Sequence, residues 1–226
     1  MAHSENYKIA LNDIKKASEL IFGSSRRDKE LKNMKYTHID PQIQIGPTCG
    51  LVALSMISSL TPVKISADEL IKISIKEGFT IKGEMFSAEN LTILTKKILD
   101  DMFIITHHVG GLQRRRKEIV NDLLNDTLLL VPYDAAQNHH PGCFNGHKAH
   151  WAIVCGVIVD GFNHYLIARQ GKSKHVGIWR FEELAESNNN LNVVSPKRSK
   201  EEGGYIFHDI KKTLAGHYVS LKRKFI

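Results

Sequence analysis

Cys49 stands where a turn-forming segment meets an apolar run, a position in which a cysteine can act as a nucleophile. The residues from Gln44 read QIGPTCG, and the LVALSMI that follows is apolar. Pro47 near the start and Thr48 as a cap predict that a buried helix begins near Cys49. The unpaired N–H groups and the dipole of a helix N-terminus favour the thiolate, the attacking form of cysteine, by lowering its pKa.

The residues around Cys49 supply further groups that attack on a carbonyl requires. The side-chain amide of Gln44 and the backbone N–H of Cys49 are predicted to bind the oxyanion that forms. Gly46 and Gly50 are predicted to leave room for the backbone of a bound substrate. The alternative is a small core cysteine without chemistry, since free cysteine is often buried.

His150 is the predicted base for this thiol. A cysteine nucleophile needs an imidazole within hydrogen-bond reach, and His150 opens a long apolar strand that would hold it rigidly. Trp151 follows it and is predicted to form part of the substrate-binding surface. The chain has 12 histidines, of which His147 is the nearest rival.

A third group commonly orients the imidazole, and two candidates remain open. Gln170 ends the strand after the one that His150 opens, and an Asp160-Gly161 turn between those strands would bring Gln170 near His150. Asp134, which follows another apolar run, is the alternative.

The spacing of apolar residues, which indicates the elements that position this site, changes along the chain. Helical spacing comes first and strand-like runs come second, so the pattern predicts an α+β fold with a helical lobe packed on an antiparallel sheet. Residues 1–35 are interpreted as a charged N-terminal arm or helix, and 36–226 as the catalytic domain. Helices are expected near 49–60, 66–76, 87–99, 116–126 and 184–190; strands near 127–131 (ending at Pro132), 150–159, 165–169 and 176–181; and a loop at 195–204.

The composition is that of an ordinary globular protein, with 42% hydrophobic and 24% charged residues in a chain of 226. The N-terminus has no apolar region typical of a secretory signal, and no apolar run is long enough to cross a bilayer. Three cysteines, an odd and small number, argue against a disulfide framework. Cys155 is predicted to lie in the core, and the function of Cys143, in a polar loop, stays open. A soluble, cytoplasmic protein is expected.

Three alternatives compete with a cysteine protease. Five residues of types that bind zinc lie within a short segment: His139, His140, Cys143, His147 and His150. They are compatible with a zinc site, although the second half of a paired motif is missing. A net charge of +7 and the run Arg114–Lys117 permit nucleic-acid binding, without an accompanying binding motif. Another hydrolase or an acyltransferase could use the same cysteine and histidine.

Three segments taken together resemble the actin maturation protease family, a relative of the C39-like, papain-fold peptidases. They are QIGPTCGLVAL, GHKAHWAIVCGV and LIARQGKSKHVGIWRFEELAESN, and the resemblance runs from about Tyr36 to Asn192. It implies a papain-like fold and a cytoplasmic cysteine-type aminopeptidase that removes the N-terminal acetylated residue, acetyl-methionine or acetyl-cysteine, from immature actin. It also implies Cys49 as nucleophile, His150 as base and Gln44 as oxyanion donor.

The resemblance leaves the third catalytic residue open, because Arg169-Gln170 stands where relatives carry an aspartate. It implies actin as the protein partner, and we expect a monomer with no cofactor, no metal, and no nucleic-acid or membrane partner. Actin N-termini are acidic, and a basic cleft edge would guide such a peptide. Arg114–Lys117 and Lys172–Lys174 are the candidate edges.

Overall fold

The first helix docks the N-terminal arm onto the body of the protein. The computed structural model describes residues 4–23, 33–201 and 204–224, so the predictions made for 24–32 and 202–203 lie outside the described residues. Helix α1 (Glu5–Phe22) begins after Ser4, whose hydroxyl accepts a hydrogen bond from the Tyr7 N–H. The Asp13 carboxylate of α1 accepts from the Val176 N–H at 3.2 Å and pairs with His175.

Four further helices follow along the chain: α2 (Cys49–Ser58), α3 (Ala67–Lys76), α4 (Ala88–Leu99) and α5 (Arg116–Leu124). Helix α3 begins with the capping box that the sequence predicts, because the Ser66 and Glu69 side chains each bind the other's backbone N–H. Nine of the ten residues of α2 are buried, as its continuous apolar run predicts. The predicted helices are therefore present near their expected bounds.

One antiparallel sheet of eight strands carries the rest of the core. The strands are β1 (Met34–Tyr36), β2 (Phe103–His108), β3 (Leu128–Ala135), β4 (Pro141–Gly142), β5 (Ala149–Asp160), β6 (Asn163–Gln170), β7 (Gly177–Arg180) and β8 (Tyr218–Arg223). The main path runs β2-β8-β3-β5-β6-β7, with β1 paired to β5 and β4 to β3. The described residues also include a 3-10 turn at Gln113–Arg115 and the helices α6 (Phe181–Asn189), α7 (Pro196–Ser199) and α8 (Ile210–Thr213).

Helices cover both faces of this sheet. Successive side chains of a strand point to opposite faces, and in β5 Trp151 joins the cluster with α2 and α4, whereas Ala152 joins the cluster with α5 and α6. The near-continuous burial of β5 follows from this two-sided cover. The predicted α+β architecture is confirmed. Among the described residues, no helix combines the length and apolarity needed to span a bilayer.

Two predictions about this sheet are wrong or incomplete. Strand β3 does not end at Pro132 but continues to Ala135. Proline is tolerated there because β8 pairs only with Leu128–Leu130 and β4 only with Asp134 and Ala135, so Pro132 lies in a gap where that edge of β3 needs no N–H donor for a ladder. The pattern also gave no sign of β1, β2 and β8, whose pairings join distant parts of the chain.

Candidate active site

A cleft of about 590 Å³ opens beside the N-terminus of α2. Five of the predicted site residues line it: Gln44, Gly46, Cys49, His150 and Trp151. Of the remaining two, Gln170 lies behind His150, and Gly50 is buried in α2. The chain thus brings together side chains from the turn before α2 and the start of β5.

Cys49 is the first residue of α2, as the sequence predicts, but Thr48 does not cap the helix. The Thr48 hydroxyl donates instead to the Ile45 carbonyl at 2.9 Å. The first N–H groups of α2 therefore keep no side-chain acceptor at this cap, so they stay available to an anion.

The predicted lowering of the Cys49 pKa is wrong for the free protein. Burial raises the pKa of this thiol, because a thiolate away from water loses its hydration. The Trp151 backbone N–H, the charges of Arg198 and Lys172 and the Gly50 N–H act in the opposite direction without overcoming burial. The direction of this shift favours the neutral thiol over the thiolate.

His150 is 4% exposed and holds a neutral ring for the same reason. Burial, with a further contribution from Lys172, lowers its pKa to about 3, although the hydrogen bond to Gln170 acts in the opposite direction. Its ring also meets the Tyr133 ring edge-on, with centroids 5.8 Å apart. The imidazole is thus held in position in its neutral form, which is the form that a base requires.

Gln170 reaches His150 through the pairing that the sequence predicts. Strands β5 and β6 join at the turn after Asp160, and Gln170 lies opposite Ala152. The Gln170 Oε1 atom stands 3.4 Å from His150 Nε2 and accepts from the Lys172 backbone N–H at 2.6 Å. The amide oxygen, and not the nitrogen, therefore faces the imidazole.

Asp134, the alternative orienting residue, serves a different purpose. Its buried carboxylate accepts from the backbone N–H groups of Phe144, Gly146 and Lys148 at 2.8, 2.7 and 2.9 Å. These bonds fix the loop that leads into β5, so Asp134 supports His150 only through the backbone. The spacing of a buried aspartate before a Gly-containing loop could have suggested this anchoring function.

Gln44 lies at the cleft with one amide hydrogen engaged. Its Nε2 donates to the Gly46 carbonyl at 2.8 Å, and its backbone N–H donates to the Gly171 carbonyl at 2.7 Å. An amide nitrogen carries two hydrogens, so one remains for a substrate oxygen. Gly46 turns the chain with a φ of +68°, a conformation that favours glycine.

Trp151 and Gly50 pack α2 against the sheet. The Trp151 indole N–H donates to the Met85 carbonyl at 2.8 Å. A Cβ on Gly50 would stand 3.1 Å from both the Met85 Cβ and the Trp151 ring. The absence of a side chain at Gly50 therefore permits the close approach of α2 to β5, a packing function that the sequence did not predict.

The two predicted basic edges behave differently. Within Arg114–Lys117, Arg115 pairs with Glu118, and Arg116 pairs with Glu182 and binds His164. None of that run lines the cleft. Lys172 does line it, joined by Lys197 and Arg198, for which the sequence predicts only a charged loop.

The histidine-rich segment does not converge on one point. His147 lines the cleft, whereas His139 and His140 line a separate groove on the far side of Gln170. Across the described ranges, no three His, Cys, Asp or Glu side chains are arranged to hold a metal ion. Cys143 is exposed, and Cys155 is buried in the core as predicted, where burial raises its pKa to about 12.

Comparison with known proteins finds relatives that cover most of the chain. The profile of a family described as "Actin maturation protease-like, C-terminal domain" matches residues 39–158. The actin maturation protease of Drosophila melanogaster is 43% identical over 162 residues, which are 71% of this chain and 58% of the fly protein. That of Xenopus tropicalis is 32% identical over 235 residues, covering 88% of this chain and 77% of the frog protein. The chain thus spans little more than half of the fly protein.

The fold also resembles a solved structure. The crystal structure described as a C39-like peptidase from Bacillus anthracis superposes with a TM-score of 0.54 at 11% identity. The match covers 83% of this chain and 98% of that chain. At this identity the likeness concerns the fold alone, which is the papain-like fold of C39-like peptidases.

Proposed function

The chain belongs to the actin maturation protease family, and we propose that it is a cysteine-type aminopeptidase that removes the N-terminal acetylated residue from immature actin. One observation carries this proposal. Cys49, at the N-terminus of α2, shares a cleft with His150, whose Nε2 faces the amide oxygen of Gln170. This placement supports the proposal of a thiol nucleophile, a base and an orienting group.

The first half of the reaction makes an acyl-enzyme. His150 accepts the Cys49 proton, and the thiolate forms a bond to the carbonyl carbon of the acetylated first residue. The resulting oxyanion accepts hydrogen bonds from the Cys49 backbone N–H and from Gln44. As the peptide C–N bond breaks, the shortened actin leaves as an amine with the proton from His150, and a thioester to Cys49 remains.

The second half releases the acetylated amino acid. His150 takes a proton from a water molecule, whose oxygen attacks the thioester carbonyl. The C–S bond then breaks, and the thiolate recovers the proton from His150. The products are the N-acetylated amino acid and an enzyme with its thiol restored.

The apolar part of the cleft is suited to the residue that is removed. Met85, Phe86, Trp151 and Leu214 line it beside Cys49. An acetylated methionine or cysteine is uncharged and of moderate size, so burying it there is favourable. We propose the cytoplasm as the location and a monomer as the working form, and the three free thiols are consistent with that compartment.

The test is mass spectrometry of N-acetylated immature actin after incubation with the wild-type protein. Cys49→Ala is the inactive variant, and Cys143→Ala is its control, because Cys143 is exposed and outside the cleft. We expect loss of one acetylated residue with the wild type and with Cys143→Ala, and none with Cys49→Ala. Intact actin with all three proteins would reject actin as the substrate and favour another hydrolase or acyltransferase.

A further inference from the structure

Three cations that no mechanistic step uses gather at the cleft. Lys172 follows β6, whereas Lys197 and Arg198 belong to the short helix α7. Two separate segments of the chain therefore contribute positive charge to one opening. Arg198 is partly buried and stacks its guanidinium over the Phe86 ring at 5.7 Å, so it is held in place.

These cations lack carboxylate partners. In the part of the chain that the structure describes, ion pairs join other lysines and arginines to acidic residues, but none includes Lys172, Lys197 or Arg198. By contrast, Arg115 and Arg116 of the other basic run are both paired. Unpaired charges in a cleft attract an oppositely charged ligand and increase its rate of encounter.

The two carboxylates of the cleft are already engaged. Glu84 is buried and accepts from the backbone N–H groups of Ile81, Lys82 and Ile206 at 3.1, 2.8 and 3.0 Å. Glu201 accepts from the Tyr205 hydroxyl. Neutral donors hold both carboxylates away from direct ion pairs without cancelling their charge, so the cleft carries three cations against two carboxylates and is net positive.

From this placement we infer that Lys172 and Arg198 form an acid-binding subsite, which takes acidic side chains directly after the bond that Cys49 attacks. The inference rests on the proposed function and specifies its selectivity. In this inference the apolar residues that line the cleft bind the acetylated residue, and Lys172 and Arg198 bind the acidic segment that follows it. Lys197, which is exposed on α7 beside Arg198, adds positive charge to the same surface.

Proximity to the reacting groups distinguishes this subsite from general surface charge. Lys172 and Arg198 line the same cleft as Cys49 and His150, and their charges act on both of those groups. We therefore expect an acidic group bound to these cations to lie close to the scissile bond. The Lys172 backbone N–H also binds Gln170. Replacing only the Lys172 side chain preserves that bond, so the subsite can be altered without removing the orienting group's partner.

The experiment measures peptide binding to Cys49→Ala protein, which does not depend on turnover. The two fluorescent probes are acetyl-methionine followed by three aspartates and the matched peptide with three asparagines. Lys172→Met and Arg198→Met are compared with Lys174→Met, an exposed lysine of the same turn that does not line the cleft.

We expect the aspartate peptide to bind more tightly, and each cleft variant to weaken its binding by about fivefold. The asparagine peptide should change by less than about twofold, and Lys174→Met should resemble the parent. Equal binding of both peptides, or equal weakening of both by Lys172→Met and Arg198→Met, would overturn the subsite. Preference for aspartate together with wild-type protein that leaves actin uncut would instead reject the proposed function.

Discussion

The amide oxygen of Gln170 stands 3.4 Å from Nε2 of His150 and also accepts the Lys172 backbone N–H at 2.6 Å. A backbone N–H can only donate, so the atom that it meets is the oxygen of the amide and not the nitrogen. His150 must therefore carry its proton on Nε2 to make the longer contact. This tautomer leaves Nδ1 unprotonated and able to accept the proton of a thiol.

Replacement of Gln170 should therefore affect the base and not the nucleophile. Gln170→Ala should lower kcat by on the order of tenfold, less than the roughly 10²–10⁴-fold contribution of a general base itself. Gln170→Glu should retain more activity and raise the pKa of the acidic limb of the kcat/KM profile, because a carboxylate stabilises imidazolium. Steady-state rates across pH test this, and identical profiles for Gln170→Glu and the wild type would exclude an orienting contact.

The Cys49 thiol should alkylate slowly at neutral pH in the free protein. Burial raises its pKa and lowers that of His150 to about 3, so neither charged form of the pair is favoured. The rate of iodoacetamide modification of Cys49 should increase with pH and show a midpoint above the ordinary cysteine value of about 8.5. A rate already maximal at pH 6 would indicate a preformed thiolate–imidazolium pair and contradict this expectation.

Acid should destabilise the fold through His150. The unfolded chain protonates this histidine below about pH 6.5, whereas the folded protein does so only near pH 3. The unfolded state thus binds more protons between these values, and stability decreases as the pH falls through that window. Urea unfolding at pH 7 and pH 4.5 should show a smaller loss for His150→Gln than for the wild type.

The control for that measurement is His147→Gln, because His147 lies in the same cleft but is exposed. It should lose as much stability as the wild type over the same pH interval. An equal loss for His150→Gln and the wild type would show that the buried imidazole does not cause the acid sensitivity.

Gln44 should contribute to turnover through the oxyanion. Gln44→Ala should reduce kcat by about 10²-fold or more. Gly171→Ala should reduce it to a smaller extent, since a Cβ there would stand 3.1 Å from the Gln44 Oε1 and displace the side chain. Gly161→Asn is the control. Asparagine tolerates the positive φ of this position, and a Cβ there would have no other atom within 4 Å. Full activity of Gln44→Ala would assign oxyanion binding to other groups.

Local patterns of sequence predicted most of the candidate site. The helix at Cys49 follows from an apolar run after a turn, and the approach of Gln170 to His150 follows from a hairpin between adjacent strands. In both cases, the interacting residues belong to one helix terminus or to neighbouring strands, so their register is set locally.

Long-range contacts and burial account for what the sequence did not reveal. Strand β2 pairs Phe103 with Arg223, and α7 brings Arg198 to a cleft formed mainly by residues before 152. No local spacing encodes such a pairing. The raised pKa of Cys49 likewise depends on tertiary packing that partly buries a helix end whose dipole alone would lower it.

The central claim, that Cys49 attacks the acetylated residue, is tested most directly by detecting the acyl-enzyme. An N-acetylated peptide with methionine first and three aspartates next is mixed with excess wild-type protein, quenched in acid within milliseconds and analysed by intact mass and peptide mapping. We predict a transient acetylmethionyl adduct on the peptide that contains Cys49, and no adduct or cleavage with Cys49→Ala. Cleavage that persists in Cys49→Ala, or an adduct found on Cys143 or Cys155 instead, would contradict the account.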